Sequence, residues 1–126
     1  MAECNRIVRA GHRYHFCRVA YRWTDARDFC DTLGAALLTV DDADENAFVR
    51  TAADGGGGGD WWIGLNDRED EGTWRWDSGS SSGYRNWGNL EPNNFANEDC
   101  VSMRPDARWN DSGCNSNLRF VCEAAL

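Results

Sequence analysis

Apolar residues recur at helical spacing in the first third of the chain. One apolar stripe falls at positions i, i+3, i+4 and i+7 and consists of Ala26, Phe29, Cys30 and Leu33. This spacing predicts an amphipathic helix over residues 25–33, with Thr24 as its N-cap and Gly34 as its stop. A second helix is predicted to begin near Asp42, where Asp42 and Glu45 resemble a capping box, and to reach about Ala53. Its apolar positions include Ala43, Ala47 and Phe48.

Short aromatic or β-branched runs predict strands in the rest of the chain. They cover residues 13–19, 61–65, 73–76, 100–103, 108–110 and 120–123. Trp62, Trp74 and Trp76 are interpreted as core residues rather than ligand contacts. Two helices followed by short strands and long loops predict the α+β class.

Two polar segments separate these elements. The five glycines at 55–59 are a flexible connection from helix to strand, and no Gly-Lys-Ser/Thr follows, which excludes a phosphate-binding loop. Residues 77–99 show little apolar periodicity. A loop of that length inside a compact domain is typical of a functional segment or of disorder.

Composition restricts the function classes. The chain has 126 residues, which fits one domain over residues 1–126. Its net charge of −8 argues against nucleic acid as a partner. No apolar run is long enough to cross a bilayer, so no membrane insertion is expected. The first residues lack the pattern of a secretion signal, and for an exported protein the signal would lie outside this sequence.

Six cysteines indicate a disulfide-stapled fold from an oxidising compartment, and hence an extracellular or cell-surface location. A zinc site is the rival interpretation. It is weak because no Cys-x-x-Cys pair occurs and because His12 and His15 sit together, far from most cysteines. Six cysteines allow fifteen disulfide connectivities, which spacing alone does not reduce.

Carboxylates and carboxamides accumulate between residues 91 and 111, in the stretches Glu91-Pro92-Asn93, Asn97-Glu98-Asp99 and Trp109-Asn110-Asp111. These are hard oxygen donors without imidazole or thiol, which suits Ca²⁺ rather than zinc or copper. A calcium ion in an exposed loop keeps coordination positions that two adjacent hydroxyls of a ligand can fill. The pattern therefore predicts a binding site and not an active site.

Several features in a fixed order carry a family resemblance. They are Cys30, Trp62-Ile63-Gly64-Leu65, Glu91-Pro92-Asn93, Cys100, Trp109-Asn110-Asp111, Cys114 and Phe120-Val121-Cys122-Glu123. From about residue 4 to residue 123 the chain resembles the C-type lectin domain in its long form. The resemblance implies two helices, a small and mostly antiparallel sheet, long calcium-binding loops and the disulfides Cys4–Cys17, Cys30–Cys122 and Cys100–Cys114. It also implies a cis peptide bond before Pro92.

The resemblance also implies two calcium sites. The principal site falls on Glu91, Asn93, Glu98, Asn110 and Asp111. An auxiliary site maps to Asp67, Glu71, Asn94 and Asp99, with Glu98 shared. Asn94 replaces the aspartate that is frequent in the family, which removes one negative charge. Residues 67–78 also superficially resemble an EF-hand loop, but Ser78 stands where the bidentate glutamate is required.

Glu91-Pro92-Asn93 resembles the mannose-type subset of the family. It implies calcium-dependent binding of sugars with equatorial vicinal hydroxyls, such as mannose, glucose, N-acetylglucosamine and fucose, through the five principal-site residues. Phe95 either stacks on an apolar sugar face or packs against the protein, and both interpretations stay open. The expected partners are glycans or monosaccharides of the mannose type. The domain itself is expected to belong to an oligomer or to be one module of a larger protein.

Two other function classes remain for comparison. One is a C-type-lectin-like domain that binds protein and uses calcium only to stabilise its loops. The other is an enzyme, which we do not expect, because no nucleophile is paired with histidine and because a carboxylate that binds calcium cannot also serve as a free general acid.

Overall fold

The computed structural model describes residues 4–92 and 98–126. In this part of the chain, two helices and eight strands form an α+β fold. The helices are α1 (Trp23–Thr32) and α2 (Ala43–Asp54). The strands are β1 (Cys4–Arg9), β2 (His12–Tyr21), β3 (Ala36–Leu37), β4 (Trp61–Asn66), β5 (Arg75–Trp76), β6 (Cys100–Met103), β7 (Trp109–Ser112) and β8 (Leu118–Ala125).

The described strands form one sheet in the order β1-β2-β8-β4-β6-β7, with β3 paired to β8 and β5 paired to β4. The pairs are antiparallel except β4 with β8, where Trp61 lies opposite Arg119 and Trp62 opposite Phe120. The prediction of a mostly antiparallel sheet is therefore confirmed. The order places β7, which carries Asn110 and Asp111, at one edge, and the terminal strands toward the other.

Two apolar clusters lie on opposite faces of strand β4. Trp61, Ile63 and Leu65 belong to a cluster that includes Val49 and Ala53 of α2, whereas Trp62 belongs to a cluster with α1. This division follows from the alternation of side chains along a strand. Because both faces are covered, all five residues Trp61–Leu65 are buried, as the continuous apolar run predicts.

Three disulfides link the six cysteines with the predicted connectivity. Cys30 of α1 is bonded to Cys122 of β8, across 92 residues of sequence. Cys100 is bonded to Cys114 across the β6–β7 hairpin, and Cys4 to its cross-strand neighbour Cys17. The Cys30–Cys122 bond lies inside the apolar cluster of α1, because both cysteines are fully buried there.

Helix α1 begins two residues earlier than predicted, at Trp23. The N-cap is Arg22, which makes no side-chain capping bond, so the predicted role of Thr24 is wrong. The start is set by tertiary contacts instead, because Trp23 is buried, its N–H donates to Cys114 O and its indole donates to Ile63 O. Leu33 lies beyond the last turn and is exposed, so it does not extend the apolar stripe.

Helix α2 agrees with its predicted bounds, but its buried face is more polar than expected. Asp42 caps the helix by accepting from Glu45 N at 2.8 Å. The Glu45 side chain reaches back to Asp41 N rather than to Asp42 N, so the capping box is displaced by one residue. Ala43 and Ala47, which the pattern predicted to be on the apolar face, are exposed. The residues buried in their place are Glu45, Asn46, Val49, Arg50 and Ala53.

The remaining strand predictions agree with the structure in position and differ in length. Strand β5 contains only Arg75 and Trp76, although Trp74 and Trp76 both pack against the cluster of α2, as predicted. Strand β7 extends to Ser112, and β8 runs from residue 118 to residue 125. The patterns missed β1, which is half exposed, and β3, which is two residues long.

Candidate functional site

The β6–β7 hairpin positions two of the predicted calcium ligands. Asn110 lies opposite Ser102 and Asp111 opposite Val101 in the register of the pair, and Cys100–Cys114 closes the base of the hairpin. Asp111 is fully buried. A buried carboxylate is costly unless it is paired or coordinates a cation, so this position needs a specific electrostatic partner.

Trp109 anchors the hairpin to helix α2. Its ring is fully buried, and its indole N–H donates to Asn46 Oδ1 at 2.9 Å. The Asn46 amide in turn donates to Ala107 O at 2.9 Å. Asn46 is thus a positioning residue that sequence patterns did not identify. In the sequence, Asn46 is marked only by its position one residue after the glutamate of the capping box. That position alone does not distinguish a buried asparagine from an exposed one.

The segment that carries Glu91 is held against β7. Trp87 forms a β-bridge with Trp109, and Gly88 N donates to Trp109 O at 2.8 Å. A turn follows in which Glu91 N donates to Gly88 O, and the Glu91–Pro92 peptide bond is cis, as expected. These backbone contacts bring Glu91 beside a residue that lies 19 positions later in the sequence, Asn110.

Glu91 and Asn110 are in direct contact. The nearer end of the Asn110 amide lies 2.7 Å and 3.0 Å from the two Glu91 carboxylate oxygens. With nitrogen at that end, the amide donates to Glu91 and accepts from Ser112 Oγ. With oxygen at that end, three oxygens meet, and this orientation is favourable only with a cation between them. The contact therefore accommodates either an internal hydrogen bond or a metal ion.

Negative charge is concentrated around Glu91. The pKa of the Glu91 carboxyl is raised from 4.5 to about 7, mainly by burial and then by the neighbouring Asp111 side chain, with a smaller contribution from Glu98. Arg104 acts in the opposite direction. Three carboxylates and one amide thus converge, and a bound cation would remove their mutual repulsion.

Arg104 is a second residue that the sequence patterns missed. Its guanidinium lies against the backbone of Gly88, where a Cβ atom would overlap Arg104 Nη2. The Arg104 carbonyl accepts from the buried Arg50 of α2. Because residue 88 has no side chain, the Arg104 guanidinium can pack against the turn that carries Glu91.

The predicted auxiliary residues form a separate acidic cluster. One carboxylate oxygen from each of Asp67, Glu71 and Asp99 lies within 4.8 Å of the others. Asp67 N donates to Asp99 O, and Asp67 Oδ2 accepts from Gly72 N, so the backbone fixes the arrangement. Burial raises the pKa of both aspartates. Glu71 further raises the pKa of Asp67, and Asp67 further raises the pKa of Asp99.

Two oxygens of this cluster fit a cation well. Asp67 Oδ1 and Asp99 Oδ1 are buried, and no hydrogen-bond donor in the described part of the chain reaches them. An unsatisfied buried oxygen costs about 1–3 kcal/mol, and a hard cation such as Ca²⁺ would satisfy both. The predicted ligands Asn93 and Asn94, together with Phe95, lie outside the described residues.

A family comparison decides the class of the protein. The Lectin C-type domain matches residues 19–124 of the chain. The chain belongs to the C-type lectin domain family. Proteins of this family are non-enzymatic and many bind carbohydrate, generally with calcium, although the family also includes members that do not bind sugar. Its members are mostly extracellular or at the cell surface.

Individual C-type lectins are similar over nearly the whole chain. Lectin BRA-3 of Megabalanus rosa is 36% identical over 121 residues, which cover 92% of this chain and 73% of that lectin. Human C-type lectin domain family 17, member A is 37% identical over 130 residues and 98% of this chain. The match covers only 34% of the human protein, so this C-type lectin domain spans about a third of that relative.

The fold of a solved C-type lectin agrees closely. The cow carbohydrate-recognition domain of CD23, solved in the presence of a GlcNAc2Man3 oligosaccharide, has a TM-score of 0.90 with 32% sequence identity. The similarity covers 96% of this chain and 93% of that chain. In the described part of the chain, no helix combines the length and the apolar character needed to cross a membrane.

Proposed function

We propose that this C-type lectin domain binds carbohydrate through a calcium ion held by Glu91, Asn93, Glu98, Asn110 and Asp111. The observation that carries the proposal is the convergence of Glu91 and Asn110, with oxygens 2.7–3.0 Å from the amide, beside a fully buried Asp111. Calcium prefers several oxygen ligands in a flexible arrangement, and these side chains supply them.

The chain's own residues have distinct roles in this proposal. Calcium supplies coordination positions for two sugar hydroxyls. Each amide binds the metal through its oxygen and is left with N–H groups that donate to a hydroxyl, whereas each carboxylate accepts a hydroxyl proton. Trp109, held by Asn46, fixes the hairpin that presents Asn110. The auxiliary residues Asp67, Glu71, Asn94 and Asp99 would hold a second calcium ion, with Glu98 shared.

We further propose mannose-type specificity, for mannose, glucose, N-acetylglucosamine or fucose. It is supported by the Glu91-Pro92-Asn93 sequence, which sets where the site accepts and where it donates hydrogen bonds. The solved CD23 domain was studied with a mannose-containing oligosaccharide. Galactose, whose 4-hydroxyl is axial, should bind less well. For Phe95 the same two roles stay open, stacking on an apolar sugar face or packing against the protein.

Affinity chromatography tests the calcium mechanism. The protein should be retained on mannose–agarose in calcium and released by EGTA. Asp111→Asn should lose retention, because it removes a charge from the ligand set and little volume. Asp44→Asn is the matched control at an exposed position in the first turn of α2 and should be retained. Retention that survives EGTA would refute the mechanism.

The specificity has its own test. The double substitution Glu91→Gln with Asn93→Asp exchanges the accepting and donating positions and should shift preference toward galactose. A double variant that still prefers mannose would show that the specificity rule does not apply to this chain, without affecting the calcium result.

A second candidate is a protein-binding domain that uses calcium only for loop stability. The auxiliary cluster favours it, because its two buried unsatisfied oxygens would hold a cation without exposing it to a sugar. For this candidate, calcium should raise the melting temperature while no immobilised neutral sugar retains the protein. For the lectin mechanism, both effects should appear together.

The biological setting is also a proposal. We propose that residues 1–126 form one carbohydrate-recognition domain, displayed outside the cell as part of an oligomer or of a longer protein. Trimeric assembly of one relative, the Kupffer cell receptor Clec4f, supports display in several copies. Light scattering on the purified domain measures whether it self-associates.

A further inference from the structure

A groove with a volume of about 620 Å³ lies next to the acidic cluster of Asp67, Glu71 and Asp99, and its lining includes Arg68, which follows Asp67 in the sequence. Its walls come from the start of α1, the segment after β4, strand β5 and residues 79–85. Among the proposed calcium ligands that fall in residues 4–92 and 98–126, none lines it. We call it the arginine groove, after the four arginines in its lining, which are Arg27, Arg68, Arg75 and Arg85.

The charge of the arginine groove is opposite to that of the chain. The protein has a net charge of −8, yet this lining holds four arginines against two carboxylates, Glu69 and Asp77. Arg75 uses Glu69 as its partner at 2.7 Å, and Arg27 pairs with Asp28 at 3.3 Å. Arg68 and Arg85 have no ion pair within 4.0 Å in residues 4–92 and 98–126, although the Arg68 charge acts to lower the pKa of Asp99. The lining as a whole therefore has an excess of positive charge.

Arg85 is held in a fixed and partly buried position. Its guanidinium lies over the Trp76 ring at 5.6 Å from the centroid. Its Nη1 donates to Ser82 O at 3.1 Å and to Tyr84 O at 2.9 Å. Both acceptors are neutral, and burial lowers the pKa of this arginine. A partly desolvated guanidinium without a carboxylate is costly, which an oxyanion ligand would offset.

Arg68 supplies a second cation, from the segment that follows β4. Its guanidinium lies over the Trp23 ring at 5.4 Å from the centroid. Trp23 is itself buried, so the ring is a fixed platform rather than a mobile contact. The segment of Arg68 is also held by the bond from Arg68 N to Asn66 Oδ1. Two guanidiniums on fixed aromatic rings are suited to bind planar or tetrahedral oxyanions.

We propose that the arginine groove binds the oxyanion of an acidic saccharide, a sulfate ester or a sugar carboxylate, through Arg68 and Arg85. The saccharide is favoured over a simple ion because the lining continues into serine hydroxyls and the partly buried Trp74, which match sugar hydroxyls and an apolar sugar face. This site needs no calcium. Its success or failure is therefore independent of the mechanism proposed for Glu91 and Asp111.

Calorimetric titration of the full chain in EGTA tests the proposal. The ligands are a sulfated tetrasaccharide of the heparin type, a galacturonate tetrasaccharide, a neutral maltotetraose and inorganic sulfate. We expect at least one acidic saccharide to bind with a dissociation constant of roughly 0.1–1 mM. The neutral saccharide and inorganic sulfate should bind at least about tenfold more weakly. Raising the salt concentration should weaken binding, because charge attraction is screened.

Three variants assign the site. Arg85→Gln and Arg68→Gln should each weaken acidic saccharide binding about tenfold, which corresponds to a loss of about 1.4 kcal/mol. Arg85→Lys keeps the charge without the planar fork, so it should retain part of the affinity. Arg6→Gln, at an exposed position on β1, is the matched control and should bind like the wild type.

Two readouts separate a local effect from misfolding or from the calcium site. Arg85→Gln should keep a cooperative thermal transition and its retention on mannose–agarose in calcium. Equal binding by wild type, Arg68→Gln and Arg85→Gln would overturn the assignment, as would no detectable binding of either acidic saccharide at low salt. Inorganic sulfate or maltotetraose binding as tightly as the acidic saccharides would overturn the proposed ligand class.

Discussion

Replacing Glu123 by glutamine should make folding stability less dependent on pH. Glu123 lies on β8, and its carboxylate accepts from Thr39 N at 3.1 Å and contacts His12 Nδ1 at 2.8 Å. The pKa of Glu123 is raised from 4.5 to about 7, mainly by burial, with the charges of Glu45 and Asp41 acting in the same direction and Thr39 N–H and His12 acting against it. The side chain is only 10% exposed, so solvent screens these effects weakly.

The raised pKa fixes the sign and the size of the effect. The folded state keeps its proton to a higher pH than the unfolded state, so the stabilisation is complete below about pH 4.5 and is lost as the pH rises through about 7. A rise from 4.5 to about 7 corresponds to roughly 3 kcal/mol, an upper limit because neighbouring charges titrate together. Most of the loss should fall between about pH 5 and pH 7.

Thermal unfolding in EGTA between about pH 5 and pH 8 measures the effect. The melting temperature of wild type should fall more steeply with pH than that of Glu123→Gln, by a difference of roughly 10 °C over this range. Glutamine can still accept from Thr39 N, so the variant should remain folded. Glu69→Gln, whose side chain is 77% exposed, is the control and should follow wild type. Parallel pH profiles of wild type and Glu123→Gln would refute the assignment.

Three further outcomes are expected. Gly64→Ala should destabilise the protein by roughly 2–3 kcal/mol in denaturant unfolding. The reason is that the new Cβ would lie 2.8 Å from the carbonyl oxygens of Leu37 and Leu38. A neutral effect would show that these strands shift easily. Asn46→Ala should cost about 1–3 kcal/mol by leaving the Trp109 indole unpaired, and should weaken calcium binding measured by calorimetry more than an exposed Ala47→Gly control. Free mannose should bind a single domain with a dissociation constant of roughly 1 mM, since two hydroxyls bury little area, and nanomolar binding by a monomer would contradict this expectation.

The central strand and the disulfides were predictable because strong local or family signals mark them. The continuous run Trp61–Leu65 indicates a strand covered on both faces, and the structure has it buried throughout. The resemblance to C-type lectins supplied the connectivity Cys30–Cys122 that spacing alone left open. The resemblance likewise places Asp67, Glu71 and Asp99, separated by 32 positions at most, in one site, and in the structure one oxygen of each lies within 4.8 Å of the others.

Tertiary contacts determine what the patterns missed. Periodicity favoured Ala43 and Ala47 on helix α2, but the buried face carries Asn46 and Arg50, because their polar groups bond to the backbone near β7. Similarly, a hydroxyl at Thr24 is a good local cap, yet burial of the preceding tryptophan starts helix α1 earlier. The arginine groove has no sequence pattern at all, since its cations come from four separate segments.

The strand order has a consequence for how the domain can be attached to other molecules. Strands β1, β2 and β8 are neighbours on the side of β4 away from β7. The described ends lie at opposite ends of these strands, because Cys4 pairs with Cys17 whereas Leu126 N donates to Gly11 O. The hairpin that carries Asn110 is at the far edge, beyond β4 and β6. Two strands, β4 and β6, therefore separate both described ends from the hairpin of Asn110, so a linker or a fusion partner joined there should leave that hairpin uncovered. Biosensor immobilisation or display on a synthetic scaffold can use either terminus, without a permuted chain.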